Sequence, residues 1–185
     1  MHRISFRFLA AIVSVLVFYS CSGTEKASQN NTQSPKASAD EYPSWYGSRS
    51  VEENDKVMMG YATAISDDSA SSISKAVSWA ESELKSSLSD KLENIRSEAA
   101  VEYGAESGLD SSRFLIALRK ADNAVSYLAV TANTEVKTVE GYDSFRSFAE
   151  VTVTKEDLIE RIGKRLAGYE QQWNAMKESK AFKNF

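Results

Sequence analysis

The chain of 185 residues contains one cysteine, Cys21, and one histidine, His2. Residues 22–185 therefore have neither an imidazole nor a thiol. For that part of the chain, this scarcity excludes Ser-His-Asp triads, Cys–His nucleophile–base pairs and the usual His/Cys zinc sites. It also excludes a disulfide, so a domain in this region depends on its hydrophobic core for stability.

The sequence also lacks a long hydrophobic run and an excess of basic charge. The apolar run from Phe8 to Phe18 has about 11 residues, whereas a transmembrane helix requires about 20. The formal net charge is −4, and removal of the N-terminal Arg3 and Arg7 lowers it by two units to about −6. Because phosphate binding requires a basic patch, we expect no nucleic-acid partner.

Motifs that bind phosphates or cations are missing as well. The glycines do not form a phosphate-binding loop. Glu93, Glu98, Glu102 and Glu106 are spaced so that they do not share one helix face, and no loop has the alternating ligands of an EF-hand. We therefore expect no metal, no cofactor and no catalytic residue, and thus a protein that is not an enzyme.

The N-terminus has the pattern of an export signal. Two arginines precede the apolar run, and Ser20 lies directly before Cys21. A small residue before a cysteine at the end of such a run resembles a bacterial lipobox, although Phe18 and Tyr19 are bulkier than usual. The resemblance implies cleavage of residues 1–20 as a signal peptide and acylation of Cys21, including palmitate. An ordinary secretory signal and an uncleaved N-terminal anchor are the alternatives.

Composition divides the rest of the chain into three parts. Residues 21–41 follow the cleavage point and are mostly Ser, Thr, Asn, Gln, Lys and Ala, which predicts a flexible tether. A change to aromatic residues at Tyr42 marks the start of a single domain over residues 42–178. Residues 179–185 are polar for the most part and are predicted to fray.

Hydrophobic periodicity predicts the first half of this domain. The segment from Val57 to Ile65 is a predicted strand whose Gly60, Ala62 and Ala64 place small side chains on one face, where a helix can approach closely. Apolar residues at helical spacing from Ile73 to Ala99 then predict a long helix, either unbroken at about 50 Å or interrupted near Ser86 to Ser89. A second helix is predicted from Ser112 to about Val130, with a strand over Val125 to Val130 as the alternative.

The second half of the domain is predicted to be a β-hairpin followed by a helix. Glu135 to Glu140 and Phe145 to Thr154 alternate as strands, with a turn over Gly141 to Ser144. Leu158 to Met176 carries the apolar stripe of a C-terminal helix that is capped by Thr154. The predicted fold class is α+β, with element order β-α-α-β-β-α and a three-stranded, mainly antiparallel sheet that helices cover on one face.

Candidate contact residues are aromatic side chains and one methionine. The candidates for ligand contact are Trp45, Tyr46, Tyr61 and Trp79. The candidates for contact with a second subunit or another protein are Tyr169, Trp173 and Met176. In the alternative interpretation, Trp45 only anchors the start of the domain and the three residues of the last helix pack into the core.

The combination of these features resembles a known family. A lipoprotein signal and a polar tether precede Pro43-x-Trp45, then Gly60-Tyr61-Ala62 on a strand, an Ala-rich helix and a late hairpin. This pattern resembles the LPP20-type lipoproteins of bacterial envelopes over Tyr42 to Asp157. The resemblance implies a small α+β domain with helices on an antiparallel sheet, located at the outer membrane and associated with envelope assemblies. It implies no catalytic residues.

Taken as a whole, the sequence predicts a non-enzymatic outer-membrane lipoprotein. The membrane is contacted through the lipid anchor, and the domain lies in the periplasm or at the cell surface. We expect it to act through protein–protein contacts with envelope proteins or with copies of itself. The alternative is a periplasmic binding module for a small or polymeric envelope ligand, such as peptidoglycan or a lipid.

Overall fold

The computed structural model describes residues 42–185, which lie within one compact unit. The predicted signal peptide, Cys21 and the tether lie outside the described residues. The strands are β1 (Val51–Glu53), β2 (Val57–Ser66), β3 (Val130–Thr138) and β4 (Phe145–Thr154). The helices are α1 (Ser69–Tyr103), α2 (Ser112–Ala121), the single turn α3 (Val125–Leu128), α4 (Lys155–Arg165) and α5 (Glu170–Glu178). The predicted α+β class and antiparallel sheet are confirmed.

The sheet has four strands in the order β1-β2-β4-β3, and each neighbouring pair is antiparallel. The prediction of three strands was wrong because β1 is short and has no apolar alternation. It forms because the Asn54 side chain accepts hydrogen bonds from the backbone N–H groups of Lys56 and Val57, which closes a tight turn. This turn brings Val51 opposite Gly60 on β2.

The predicted second helix is shorter than its apolar pattern indicated. Helix α2 ends at Ala121, a 3-10 turn and α3 follow, and β3 begins at Val130 rather than at Glu135. The backbone becomes extended at Ala129, where β-branched Val130 and Thr131 follow. Such residues favour strands. Pairing with the central strand β4 stabilises the extended backbone from Val130 onward, a contribution that the local sequence does not reveal.

Helix α1 is unbroken and has 35 residues, so it is about 52 Å long. It begins at Asp68, whose side chain accepts a hydrogen bond from the backbone N–H of Ser71 at 2.7 Å. It ends at Gly104, which has a positive φ of 73°. The serines of residues 86–89 are thus accommodated within the helix and do not interrupt it.

Helix α1 packs against β2 at the small residues that the sequence predicted. A Cβ atom on Gly60 would lie 2.5 Å from the carbonyl oxygen of Ala80 and 2.7 Å from Cγ of Leu84. Across the same face, the Ser72 and Ser147 hydroxyl groups are 2.5 Å apart. Even-numbered residues of β2 therefore face the helix, and odd-numbered residues point to the opposite face of the sheet.

The predicted C-terminal helix is two helices, because the chain turns between α4 and α5. Gly168 lies in the turn with φ of 92°, a conformation that favours glycine. Thr154 caps α4 by accepting a hydrogen bond from the N–H of Asp157, as predicted. The turn redirects α5, so that its apolar residues pack against the core that α1 and α4 share.

Residues 179–185, which were expected to fray, pack against the domain. Ser179 is fully buried, and Phe182 and Phe185 lie against the core. The Phe182 ring meets the indole of Trp173 edge-on, with ring centroids 5.5 Å apart. Phe182 and Phe185 thus bury apolar area that the mostly polar composition of this segment did not suggest.

Among residues 42–185, no helix combines the length and the apolar character that a membrane span requires.

Candidate functional site

Three of the predicted ligand-contact residues come together on the sheet face opposite α1. Tyr61 is on β2, and the segment before β1 places Tyr46 and Trp45 over it. The ring centroids of Tyr46 and Tyr61 are 5.6 Å apart, and those of Trp45 and Tyr46 are 6.0 Å apart. Two further rings complete the group. We call this group the aromatic face, and its members are Tyr42, Trp45, Tyr46, Tyr61 and Phe148.

Phe148 is the centre of the aromatic face and is fully buried. It is on β4 opposite Thr63, and the rings of Tyr42 and Tyr46 each lie 5.5 Å from it in edge-on arrangements. The ammonium group of Lys137 lies 5.6 Å from the same ring. Edge-on pairs and a nearby cation both stabilise aromatic rings beyond the burial of apolar area.

The local sequence shapes the segment that covers this face. Pro43 is buried, and its carbonyl accepts a hydrogen bond from the N–H of Tyr46 at 3.0 Å, which forms a turn. The backbone of Gly47 lies directly against the Tyr61 ring, where an added Cβ would be 2.4 Å from Cε2. The turn and the glycine together allow the chain to lie flat on the sheet.

A nearly buried carboxylate lies beside the rings. Glu150 is opposite Tyr61 and is 9% exposed. Its Oε2 accepts a hydrogen bond of 2.6 Å from the Asn133 amide, and its Oε1 lies 3.5 Å from the Tyr61 hydroxyl. Since burying an unpaired carboxylate is costly, these donors account for how Glu150 is accommodated in the folded protein.

Two phenols of the aromatic face, Tyr61 and Tyr46, have raised pKa values. Burial, together with the nearby charges of Glu150 and Glu52, raises the pKa of Tyr61 to about 12. Burial, followed by the effect of Tyr42, also raises the pKa of Tyr46. A phenol with a raised pKa does not serve as a general base near neutral pH. The face therefore offers hydrogen bonding and apolar contact.

The raised pKa of Tyr61 predicts a loss of stability at high pH. Its contribution is complete below the unfolded value of about 10 and is lost as the pH rises towards about 12. At pH 11, one unit above the unfolded value, we expect a loss of about 1.4 kcal/mol from this group. Urea unfolding at several pH values would measure it.

The control for this pH dependence is Tyr61→Phe, which has no ionisable group at residue 61. Its stability differs from that of the wild type at every pH because the hydroxyl contact to Glu150 is lost. Between pH 8 and 11, however, its free energy of unfolding should fall by about 1.4 kcal/mol less than that of the wild type. Equal slopes for the two proteins would show that Tyr61 titrates normally.

A shallow depression of about 450 Å³ borders the aromatic face. It is lined by Tyr42, Tyr46 and Tyr61, together with residues 47–50 that lead into β1. A depression of this size with three phenol rings is within the range of sites for small ligands. Of the four predicted ligand-contact residues, Tyr46 and Tyr61 line it, whereas Trp45 and Trp79 do not.

The other predicted contact residues lie elsewhere. Trp79 is 53% exposed on α1, on the opposite side of the sheet, so it does not join the aromatic face. Trp173 and Met176 are 5% and 0% exposed, and Tyr169 is half-buried against Phe114 with ring centroids 5.8 Å apart. These three residues pack within the domain, which agrees with the alternative interpretation of the last helix.

The sequence did not predict four residues of this site, which are Tyr42, Phe148, Glu150 and Asn133. The alternation of β4 could have identified Phe148 and Glu150, because both side chains lie on the face of the sheet that does not contact the helices. Asn133 gave no such signal, since it was not assigned to a strand. An irregularity between Thr131 and Asn133 in β3 changes the register there and brings Asn133 opposite Glu150.

A second surface is the outer edge of β3. This strand has nine residues and lies at the end of the sheet, where β4 is its only neighbouring strand within residues 42–185. Large apolar residues are exposed at both ends of it, with Val130 at 63% and Tyr142, in the loop that follows, at 75%. We call this surface, from Val130 to Tyr142, the β3 edge. Main-chain groups along an outer edge are available to pair with another strand.

Within residues 42–185, no group of three or more acidic side chains is placed to hold a metal ion, and this range contains no His or Cys. Comparison of the chain with protein-family models, with curated proteins and with solved structures found no match. The resemblance to LPP20-type lipoproteins therefore stays a prediction from the sequence, and the two surfaces described above are the basis for a functional proposal.

Proposed function

We propose that this protein is a non-enzymatic, lipid-anchored envelope protein that acts through protein–protein contacts. The β3 edge is the observation that carries the proposal. It combines a nine-residue edge strand with two exposed apolar side chains. Main-chain groups on an outer strand can pair with a strand of another chain, and within residues 42–185 no further strand pairs with this one.

The N-terminal sequence supports the proposed location. Cys21 follows a short apolar run and Ser20, and a polar segment of about 20 residues separates it from Tyr42. A flexible chain of that length has an r.m.s. reach on the order of 25 Å, enough to hold the domain clear of a membrane surface. Acylated Cys21 would be the anchor in the outer membrane, with the domain in the periplasm or at the cell surface.

Two observations support the absence of catalysis. Cys21 and His2 are the single residues of their types and belong to the predicted anchor and signal. Beside the nearly buried Glu150, Tyr61 keeps its proton because its pKa is raised to about 12. Tyr61 therefore does not act as a general base near neutral pH.

The proposed lipidation of Cys21 can be tested in bacterial cells that export the chain. Mass spectrometry of the full-length protein should show a lipid on Cys21, and Cys21→Ala should leave the membrane fraction. Ser28→Ala, a change in the same polar segment, should stay with the membrane. An unmodified Cys21 in membrane-bound protein would contradict the proposed anchor.

Chemical crosslinking in the same cells tests the proposed contacts. Native protein should give crosslinks from the β3 edge to an envelope protein or to another copy, and Cys21→Ala should lose those that depend on the membrane location. A protein that is lipidated but gives no crosslink from this edge would contradict a function through protein contacts there.

A second candidate function is a binding module for a small or polymeric envelope ligand. The depression beside the aromatic face favours it, because three phenol rings line one opening. Peptidoglycan fragments and lipid vesicles are suitable probes. Tyr46→Ala should weaken binding, whereas Tyr103→Ala, at the exposed end of α1, should not. Equal binding by both variants would exclude this site.

A further inference from the structure

The β3 edge has a sequence that is complementary to itself. Val136 is flanked by Glu135 and Lys137, whose charges are opposite. Val136 is paired with Ser147 and faces the helices, whereas Glu135 and Lys137 are paired with Phe148 and Arg146 and face the other way. If two copies of β3 run antiparallel about Val136, Glu135 of each copy lies directly opposite Lys137 of the other.

We propose that the partner of the β3 edge is a second copy of this chain. Residues 134–138 of the two copies pair antiparallel about a two-fold axis that passes through Val136, and the two sheets become one continuous sheet. This inference rests on the proposed function, because it names the partner of the same edge. A two-fold contact of this kind is closed, so it produces a dimer and not a fibre.

Charge complementarity supports this register. Within one copy, the Lys137 ammonium lies 3.3 Å from a carboxylate oxygen of Glu135, and both side chains are about one-third exposed. In the proposed dimer, each ammonium has a second carboxylate opposite it on the neighbouring strand. Opposite charges that face each other across antiparallel strands are stabilising, and like charges are destabilising.

The exposed apolar residues at the two ends of the edge fit the same register. Val130 lies six residues before Val136, and the loop over residues 139–144 begins three residues beyond it. In an antiparallel pair, Val130 of one copy therefore lies towards the end of the contact where the second copy has its loop, which carries Tyr142. Contact between these two exposed side chains would remove apolar area from water at both ends.

The geometry favours this edge over the opposite one. Strand β1 has only three residues, and the carboxylate of its Glu53 is bound to Lys91 and Lys155. The irregularity in β3 lies between Thr131 and Asn133, so it is outside the five residues that pair. Residues 134–138 are thus a regular stretch of outer edge that is five residues long.

Charge reversal and its restoration test the proposal. Residues 42–185, which form a compact unit with their own core, would be measured by sedimentation over a wide range of concentrations. The wild type should dimerise, and Glu135→Lys should raise the dimer dissociation constant at least about tenfold, since two favourable pairs become two unfavourable ones. Lys137→Glu should act likewise, and the double variant should regain affinity close to that of the wild type.

The controls separate dimerisation from folding. Glu106→Lys makes the same charge change in the loop after α1 and should leave the dissociation constant unchanged. Melting temperatures of all variants would show whether the monomer fold is intact. A wild type that is monomeric at every concentration, or folded single variants that dimerise as the wild type does, would overturn the proposal. A folded double variant without restored affinity would overturn the register.

A crosslinking experiment in the full-length chain tests the axis directly. Val136→Cys should form a disulfide between two copies under oxidising conditions, because only the residue on the axis meets its own equivalent. Thr134→Cys, on the same face of the strand, should not, since it lies opposite residue 138. Equal disulfide yields would overturn the proposed register. A monomer that still crosslinks through this edge to another envelope protein would refute the second copy as partner and leave the proposed function intact.

Discussion

Replacing Gly60 by alanine is expected to lower the free energy of unfolding by about 3 kcal/mol. The added Cβ would lie 2.5 Å from the carbonyl oxygen of Ala80, a backbone atom in the middle of α1. A side chain could rotate away from such a contact, but the helix must shift as a unit. Urea unfolding followed by circular dichroism would measure the change.

The control for this prediction is Gly141→Ala in the loop between β3 and β4. Gly141 has φ of 79°, and an added Cβ would have no heavy atom within 4 Å. Its cost should therefore be only that of a left-handed backbone conformation, about 1 kcal/mol. If Gly60→Ala were destabilised no more than Gly141→Ala, the close approach of α1 would not be the reason for the glycine at residue 60.

Trp173→Ala is expected to destabilise the domain by about 3 to 5 kcal/mol. Its indole is 5% exposed, and it contacts the ring of Phe182 from the last turn of the chain. Removing it leaves a cavity between α5 and that turn and also exposes the partner ring. Unfolding should be followed by circular dichroism, because the substitution itself alters tryptophan fluorescence.

Trp79→Ala is the matched control, because the same residue type is 53% exposed on α1. We expect a change of about 0.5 kcal/mol, as for other surface substitutions. Truncation after Gly168 removes Trp173 and Met176 together and should abolish cooperative unfolding. A folded truncated chain, or similar costs for the two tryptophan substitutions, would contradict the placement of α5 in the core.

Prediction from the sequence succeeded where one element carries its own pattern. The stripe of α1 and the alternation of β2 and β4 are long enough to identify the elements and the faces they bury. The cap at Thr154 depends on residues three apart, and it was confirmed for the same reason. These features are set by local geometry and by one buried face.

Prediction failed where an element depends on its contacts with another element. Strand β1 has only three residues without apolar alternation, and its pairing with β2 across the Asn54 turn is what makes it a strand. The chain turns between α4 and α5 because Trp173 and Met176 pack against the core. The apolar residues keep their helical spacing through this turn, so the sequence pattern did not reveal it. Strand β3 begins earlier than its sequence indicated because β4 extends beside it.

The candidate site shows the same division. The sequence alone determined which aromatic residues are present, which of them lie on β2, and that imidazole and thiol groups are confined to the first 21 residues. Only the tertiary structure decided that Tyr46 and Tyr61 share a face with Phe148, while Trp79 and Trp173 do not. The alternation of a strand assigns a side chain to one of two faces, but only strand pairing and the course of the segment before β1 decide which other side chains lie beside it. The sheet order then places β3 at an outer edge, because β2 and β4 take the central positions.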